Sequence, residues 1–418
     1  EHDLLPMQQH GFRRNRSTTT ALTSMVADWV SNYEQGRHTG VLLRDLSAAF
    51  DTIDIDILCK KLGIYGVDGR SVDFLRSFLT NREQRVLVGS ALSDPITTSV
   101  GCPQGSLISP LIFLIYIADI ELWLEETKMT GFADDTTTYY SSENEDEIIE
   151  KLQVDSRNII RFMASNTLVA NAKKIGFLLI RNGKASSVYH IAVGDDIIQE
   201  ETSHKILGLT VDNHLKWDVH VYGKGGVLSS VNQRIGALRR LAYHIPKKYL
   251  PQIATATISS KIRYGISVYG SVRIEEHDSQ ECKQKDLQIA LNKAMRIVAG
   301  KKLSDRVSIK DLCEKTRMSS VNQMNALEKI ALTWKALRGP SSSLSDVLKT
   351  QPINDARTSR AQSRGDLRPS AKTTIGQRNV PHSAVSLWNQ CESTIKSSIE
   401  AKKIPKNSIR KYAESLPV

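Results

Sequence analysis

Leu22, Met25, Val26, Trp29, Val30 and Tyr33 recur at helical spacing, and Gly36 is placed to stop the helix they predict. The pattern then shortens. Val41-Leu-Leu-Arg-Asp45-Leu reads as a short strand, and Ser47-Ala-Ala-Phe50-Asp51 turns the chain out of it towards a helix carrying Leu58 and Leu62. Asp51, Asp54 and Asp56 are expected to cap or solvate that helix. Residues 71–80 predict a helix, 81–84 a turn and 85–89 a strand. Ser106 is expected to start an apolar helix over 107–118, with Pro110 tolerated in its first turn. Residues 131–140, Gly-Phe-Ala-Asp-Asp-Thr-Thr-Thr-Tyr-Tyr, read as a tight β-hairpin with Asp134 and Asp135 at its tip. Further on, Leu228, Val231, Ile235, Leu238 and Leu241 mark another amphipathic helix, and helices are expected around 248–262 and 286–299, the second ended by Gly300. No internal repeat is present.

Composition adds little to the fold and more to the partners. The 418 residues, 40% hydrophobic and 24% charged, suffice for about two to four ordered domains. The net charge of +11 is unevenly placed: residues 1–140 carry 12 Lys/Arg against 18 Asp/Glu, the remainder 44 against 27. An acidic first third beside a basic body suits a polyanionic substrate held together with cations, although charge alone also fits a merely basic soluble protein. Cys59, Cys102, Cys282, Cys313 and Cys391 are odd in number and scattered, which predicts a reducing compartment and no zinc module. The longest apolar run, Leu111 to Ile117, falls far short of the roughly 20 residues of a membrane span. The chain opens on Glu1 as though cut from something longer.

The candidate chemistry begins at the hairpin tip. Two adjacent carboxylates disfavour joint ionisation, so the pair asks for a divalent cation, unless it is a solvated acidic turn. Asp45, at the end of an apolar strand, could reach that tip. Such a three-carboxylate cluster is what two Mg²⁺ ions need when one activates an attacking oxygen and the other steadies a leaving pyrophosphate. Gly101-Cys-Pro-Gln104-Gly105-Ser106 combines two glycines and a proline in a loop ahead of a helix, an arrangement that allows close approach of an anion. Arg13, Arg14 and Arg16 lie in a loop ending in hydroxyl residues that can cap a helix; they could grip phosphate or be solvated.

Together, Asp-Leu-Ser-Ala-Ala-Phe-Asp at 45–51, Gly-Cys-Pro-Gln-Gly-Ser at 101–106 and Phe-Ala-Asp-Asp at 132–135 resemble motifs A, B and C of reverse transcriptases. The order and spacing are most similar to those of non-LTR (LINE-type) retrotransposons. Asn171-Ala-Lys-Lys174-Ile looks like motif D, and Ile206-Leu-Gly208-Leu209-Thr-Val with Leu215-Lys-Trp217 like motif E, the primer grip. The resemblance covers residues 9–300 well and the polar, basic tail loosely. In residues 351–418, 12 Lys/Arg stand against 5 Asp/Glu, and Trp388-Asn389 lies in the one stretch that looks packed.

The resemblance implies an α+β right-hand polymerase: a mainly antiparallel palm sheet backed by helices, a helical thumb and a helical C-terminal region. Its expected divisions are partial fingers (1–36), palm with motifs A to E (37–217), thumb and connector (218–300) and a basic C-terminal region (301–418). Asp45, Asp134 and Asp135 would hold two Mg²⁺ ions, with Mn²⁺ as a substitute, and Lys174 would protonate the departing pyrophosphate. Phe50 would gate the sugar, Gln104 and Gly105 would line the nucleotide pocket, Arg13 would meet the triphosphate, and Gly208 and Leu209 would grip the primer. The implied function is RNA-directed DNA synthesis, with RNA template, DNA primer or target and dNTPs as partners and no membrane. The oligomeric state stays open. The implied setting is intracellular, in nucleus and cytoplasm as a ribonucleoprotein, with more of the fingers and an endonuclease expected upstream. The alternative is a nucleic-acid-binding remnant that no longer polymerises; a nucleotide cyclase would not explain the Pro-Gln-Gly loop followed by a primer-grip-like hairpin. Arg44, Ala48 and Ala118 depart from the family pattern. Arg44, adjoining Asp45 on a strand, points to the opposite face and there needs a partner or solvent.

Overall fold

The computed structural model describes residues 4–47, 49–170, 174–181, 183, 187–271, 282–338, 380–391, 395–396 and 406–417. By its internal packing the chain forms two units, one of Glu1–Ala21 with Arg37–Thr202 and one of Leu22–Gly36 with Ser203–Val418.

Helix α1 (Thr18–Glu34) starts where the sequence places hydroxyls: the Ser17 amide donates to Thr20 Oγ1 (2.8 Å) and the Thr20 amide to Ser17 Oγ (3.3 Å). In the first unit follow β1 (His38–Arg44), β2 (Leu46–Ser47), α2 (Ile55–Ile64) and α3 (Gly69–Leu79). Four short strands come next, β3 (Arg82–Gln84), β4 (Leu87–Val88), β5 (Ala91–Leu92) and β6 (Ile96–Thr98), before α4 (Ser109–Tyr116). The unit is completed by β7 (Lys128–Phe132), β8 (Asp135–Ser142), α5 (Glu145–Ser165), β9 (Val169–Ala170), β10 (Gly176–Ile180), β11 (His190–Val193) and β12 (Asp196–Glu201). Six strands form one sheet in the order β11-β12-β10-β1-β8-β7, antiparallel except for the β10–β12 pair. The mixed α+β, mainly antiparallel expectation is borne out.

The central strand β1 is buried from Gly40 to Arg44, and its even-numbered residues face α5. Leu42 packs there with Ile148 and Leu152 of α5, Phe177 and Leu179 of β10 and Ile191 of β11. Fully burying such a side chain contributes ~1.5–3 kcal/mol. Gly40 lets the helix come close: a Cβ there would lie 2.3 Å from Ile148 Cγ2. A second cluster gathers Leu58 and Leu62, Leu79, Ile112, Phe113 and Tyr116 with Ile159 and Phe162, so α5 serves both cores.

Local expectations are corrected at two places. Residues 82–84 form a ladder with 96–98 instead of a turn, and only Leu87–Val88 of the expected 85–89 strand pairs, with Ala91–Leu92. Helix α4 begins at Ser109 and not at Ser106, because Pro110 occupies the first turn, where a missing N–H costs nothing; the Ser106 hydroxyl instead accepts from the Ile108 amide (3.2 Å). Its expected end at 118 is a switch to a 3₁₀ turn over Ala118–Trp123.

In the second unit β13 (Ser203–Ile206) and β14 (Leu209–Asp212) form a hairpin, followed by α6 (Asp218–Tyr222) and α7 (Val227–Leu241). Helical turns then run from Leu250 to Arg263 as α8 (Leu250–Ala254), a π-helical stretch Thr255–Ser259 and α9 (Ser260–Arg263). After α10 (Ile266–Tyr269) come α11 (Cys282–Ala299), α12 (Ile309–Thr316), α13 (Val321–Arg338), α14 (Val380–Gln390) and α15 (Lys406–Ser415). Trp388, fully buried with Ile330, Trp334, Ile409 and Ala413, bears out the packed stretch expected in the tail; most of 351–418 lies outside the described residues. Among the described residues no helix is long and apolar enough to cross a membrane.

Candidate active site

The hairpin of β7 and β8 pairs Phe132 with Asp135, so its tip is the two-residue turn Ala133-Asp134, and Asp135 opens β8. Ala133 has φ +57°, in the left-handed region that an L-residue enters at a cost of roughly 1–2 kcal/mol. β1 is hydrogen-bonded to β8 with Arg44 opposite Thr136, which brings Asp45, the next residue, to the same end of the sheet as the tip. The three carboxylates feel one another. Partial burial, then the charges of Asp134 and Asp45, push Asp135 up to about 6. Burial, then Asp45, raises Asp134 as well. Lys174 opposes both shifts, and its ammonium donates directly to Asp45 Oδ2, which raises the lysine in turn. Asp45, Asp134, Asp135 and Lys174 are thus one electrostatic cluster. Residues 171–173 of the same segment lie outside the described residues, as does Ala48.

Hard oxygen donors with more negative charge than one lysine neutralises suit a divalent cation. Among the described residues, however, no three His, Cys, Asp or Glu side chains converge closely enough to hold an ion as they stand, and Asp45 is engaged by Lys174.

The glycine-rich loop is tied to the segment after Asp45. The Cys102 amide donates to the Phe50 carbonyl (2.7 Å) and the Gly101 amide to that of Ile53 (2.8 Å). Gly101 has φ +76°, and a Cβ on it would meet the Asp51 carbonyl oxygen at 2.7 Å, so no other residue fits. Gln104 Nε2 donates to both oxygens of Asp51 (3.1 and 3.3 Å). Asp51 therefore orients Gln104 and does not cap the next helix; that is done by Asp54, which accepts from the amides of Asp56 and Ile57. Asp56 pairs with Arg76 (2.5 Å) on the surface. Gly105 is exposed with φ +89°. The Phe50 ring lies between Phe113 (centroids 4.8 Å) and Phe12 (6.3 Å). Arg13 Nη1 donates to the carbonyls of Pro6 (2.5 Å) and Gln9 (3.4 Å). Gly208 and Leu209 sit at the β13–β14 turn of the second unit.

The surroundings of two residues are not read from the sequence. Arg44 finds neither solvent nor an ion pair: it is 3% exposed, donates through Nη1 to Thr138 Oγ1 (2.9 Å), and leaves Nε and Nη2 without hydrogen-bond partners. Burial lowers it to about 10 and the buried Asp155 of α5 supports its charge, so it stays protonated at neutral pH. Asp155 itself accepts from the amides of Glu125, Glu126 and Thr127. The other is Gln9, two residues before Gly11, whose amide lies on the Ala133 turn. Its position in Gln-His-Gly-Phe, ahead of the arginine loop, was the available signal.

Residues 1–211, half of the chain, match the family model described as reverse transcriptase (RNA-dependent DNA polymerase), and the chain belongs to that family. Within it the similarity is to polymerases of Drosophila melanogaster mobile elements. The "probable RNA-directed DNA polymerase from transposon BS" is 24% identical over 323 residues, covering 71% of this chain and 33% of that protein. The RNA-directed DNA polymerase from mobile element jockey is 22% identical, covering 64% and 30%. These relatives bear out the resemblance to a LINE-type reverse transcriptase. The chain spans about a third of the length of the curated relatives it matches. Among solved structures, apo telomerase from Candida tropicalis is similar with a TM-score of 0.38 at 10% identity, covering 85% of this chain and 56% of that one.

Proposed function

We propose that this chain carries the polymerising part of a non-LTR retrotransposon enzyme, adding deoxynucleotides to a DNA primer on an RNA template. The observation that carries the reading is the coupling of Asp45, Asp134, Asp135 and Lys174 at one end of the sheet of a reverse-transcriptase family member. Residues 37–217 are the palm in this reading, with part of the fingers in 1–36, thumb and connector in 218–300 and a basic C-terminal region in 301–418.

Members of the family use divalent metal ions. Asp45 and Asp134 would hold two Mg²⁺ ions, or Mn²⁺ in their place, with Asp135 in support. When bound, the ions supply Lewis-acid activation of the primer hydroxyl and offset charge on the departing pyrophosphate. The rest is positioning, which dominates phosphoryl transfer. Lys174, kept protonated by its carboxylate neighbours, has the proton to give to the pyrophosphate. Phe50, backed by Phe113, sets a wall against a 2′-hydroxyl. Gln104, oriented by Asp51, and the open backbone of Gly105 line the nucleotide side. Arg13 is the candidate for the triphosphate, with one nitrogen already on main-chain carbonyls. Gly208 and Leu209 would steady the primer.

The test is Mg²⁺-dependent addition of dNTPs to a DNA primer annealed to RNA. A chain that binds the duplex through phosphate contacts, with affinity falling steeply as salt rises, but adds no nucleotide is the binding remnant instead.

A further inference from the structure

Gln9 is 4% exposed, and its side-chain amide is committed to the turn that carries Asp134. Oε1 accepts from the amides of Ala133 (3.0 Å) and Gly11 (2.8 Å), while Nε2 donates to the Ala133 carbonyl (3.3 Å). Both main-chain polar groups of the left-handed Ala133 are thereby satisfied by one side chain, as a neighbouring strand would satisfy them. The main chain reinforces the contact. Gln9 bridges Gly131 in parallel fashion, His10 N donates to the Gly131 carbonyl (2.7 Å), and Gly131 N donates to that of Gln8 (3.0 Å). The approach leaves no room for side chains: a Cβ on Gly11 would lie 2.2 Å from Ala133 N, and one on Gly131 would lie 2.8 Å from Gln9 Nε2.

We propose that Gln9 is a positioning residue for Asp134, an amide clamp that holds Ala133 in its left-handed conformation and so fixes where the adjacent carboxylate points. The proposal rests on the reading of the carboxylates as a metal-dependent site. The physical logic is specific to an amide. The site needs one acceptor facing two N–H groups and one donor facing a carbonyl, which a carboxamide carries on one planar group whatever the pH; Asn is a methylene too short. Without the clamp an alanine at this position relaxes towards negative φ, and the Asp134 carboxylate swings with it. A turn misplaced by about an ångström at a phosphoryl-transfer centre costs on the order of a hundredfold in rate.

The experiment uses the full chain and four proteins: native, Gln9→Met, Ala133→Gly and the double variant. Four quantities are read below the melting temperature of each: Mn²⁺ affinity by electron paramagnetic resonance, kcat and KM for single-nucleotide addition, and template-primer affinity. Gln9→Met, which keeps the side chain's length, is expected to weaken Mn²⁺ binding and lower kcat, each by about tenfold or more, with nucleotide KM and template-primer affinity within about twofold. Glycine adopts positive φ without penalty, so Ala133→Gly in the Gln9→Met background should recover several-fold of the lost kcat, a rescue no generic packing role would give. Unchanged Mn²⁺ affinity and kcat in Gln9→Met overturn the clamp. So does a parallel loss of template-primer binding, which would make Gln9 a general structural residue. A native chain that binds no Mn²⁺ overturns the metal reading itself, an outcome distinct from either.

Discussion

Among the described residues, two tight hairpin tips, those of β7–β8 and β13–β14, place a residue other than glycine in the left-handed region, and they put it to different ends. At Ala133-Asp134 the first turn residue is left-handed (φ +57°) and a carboxylate follows; at Leu207-Gly208 both are left-handed (φ +45° and +86°) and the second is glycine. Each strained residue is held by a side chain from far along the chain. Gln9 bonds the Ala133 amide and carbonyl, and Tyr264 donates its hydroxyl to the Leu207 carbonyl (2.6 Å). A buried, uncharged histidine stands beside each. His10 bonds Thr20 Oγ1, and burial followed by Arg16 and Arg13 lowers it to about 3; His220 accepts from the Thr210 amide (3.2 Å), and burial followed by Lys261 and Lys205 lowers it to about 4. The difference lies in what the tip must resist. The first has to hold mutually repelling carboxylates in one place, so both polar groups of its strained residue are pinned. The second bends at Leu207-Gly208 with Leu209 fully buried behind it, and Tyr264 pins it at one carbonyl.

The largest expected effect strikes the first tip alone. Asp45→Asn replaces the carboxylate that accepts from Lys174 by a neutral amide and takes one charge from the cluster, and extension should fall by roughly three orders of magnitude, with template-primer binding within a few-fold in a filter-binding assay. Acid should loosen the second tip through His220. Its folded pKa of about 4 lies below the unfolded 6.5, so the unfolded chain takes up protons first. Stability is then complete above about pH 6.5 and is lost as pH falls towards 4, by a few kcal/mol at most. Urea midpoints between pH 7.5 and 4.5 measure this, and His220→Gln should flatten the slope; an equal slope in the variant places the acid sensitivity elsewhere. Beside the first tip, Phe50→Ala should raise ribonucleotide use relative to deoxynucleotide use by about ten- to a hundredfold, because the discrimination is steric. An unchanged incorporation ratio would move the gate to another residue. Smallest is Tyr264→Phe, which deletes one hydrogen bond to the second tip and should cost about 1 kcal/mol in chemical denaturation while Mn²⁺ affinity stays as in the native chain.

The elements were legible wherever one periodicity ran long enough. Helix α1, strand β1, the β7–β8 hairpin, α7 and the Gly300 stop follow from spacing and punctuation alone. The region between α3 and α4 carries no such signal, because its strands are two or three residues long, with Leu87, Val88, Leu92 and Ile96 exposed, so no alternation marks them. Of the site, the carboxylates and the glycine-rich loop were visible as residue types at telling places. What holds them was not. Gln9 meets Ala133 across 124 residues, Gln104 meets Asp51 across 53, and the Arg44 charge is supported by that of Asp155 on α5 without an ion pair. Such pairings are set by the fold and leave no local trace. Arg44 shows the same limit from the other side: a charge one residue from Asp45 reads as a departure, yet it is buried and still charged at the end of the sheet that carries the carboxylates.

The central claim, that the first tip with Asp45 is a metal-dependent polymerising centre, is tested most directly by single-nucleotide addition to a DNA primer on RNA, in a Mg²⁺ titration of the native chain beside Asp134→Asn. The native chain should add the templated deoxynucleotide with a saturable dependence on Mg²⁺, and Asp134→Asn should bind the same template-primer within a few-fold and add essentially nothing. Addition by Asp134→Asn at the native rate, or native addition indifferent to Mg²⁺, would contradict it.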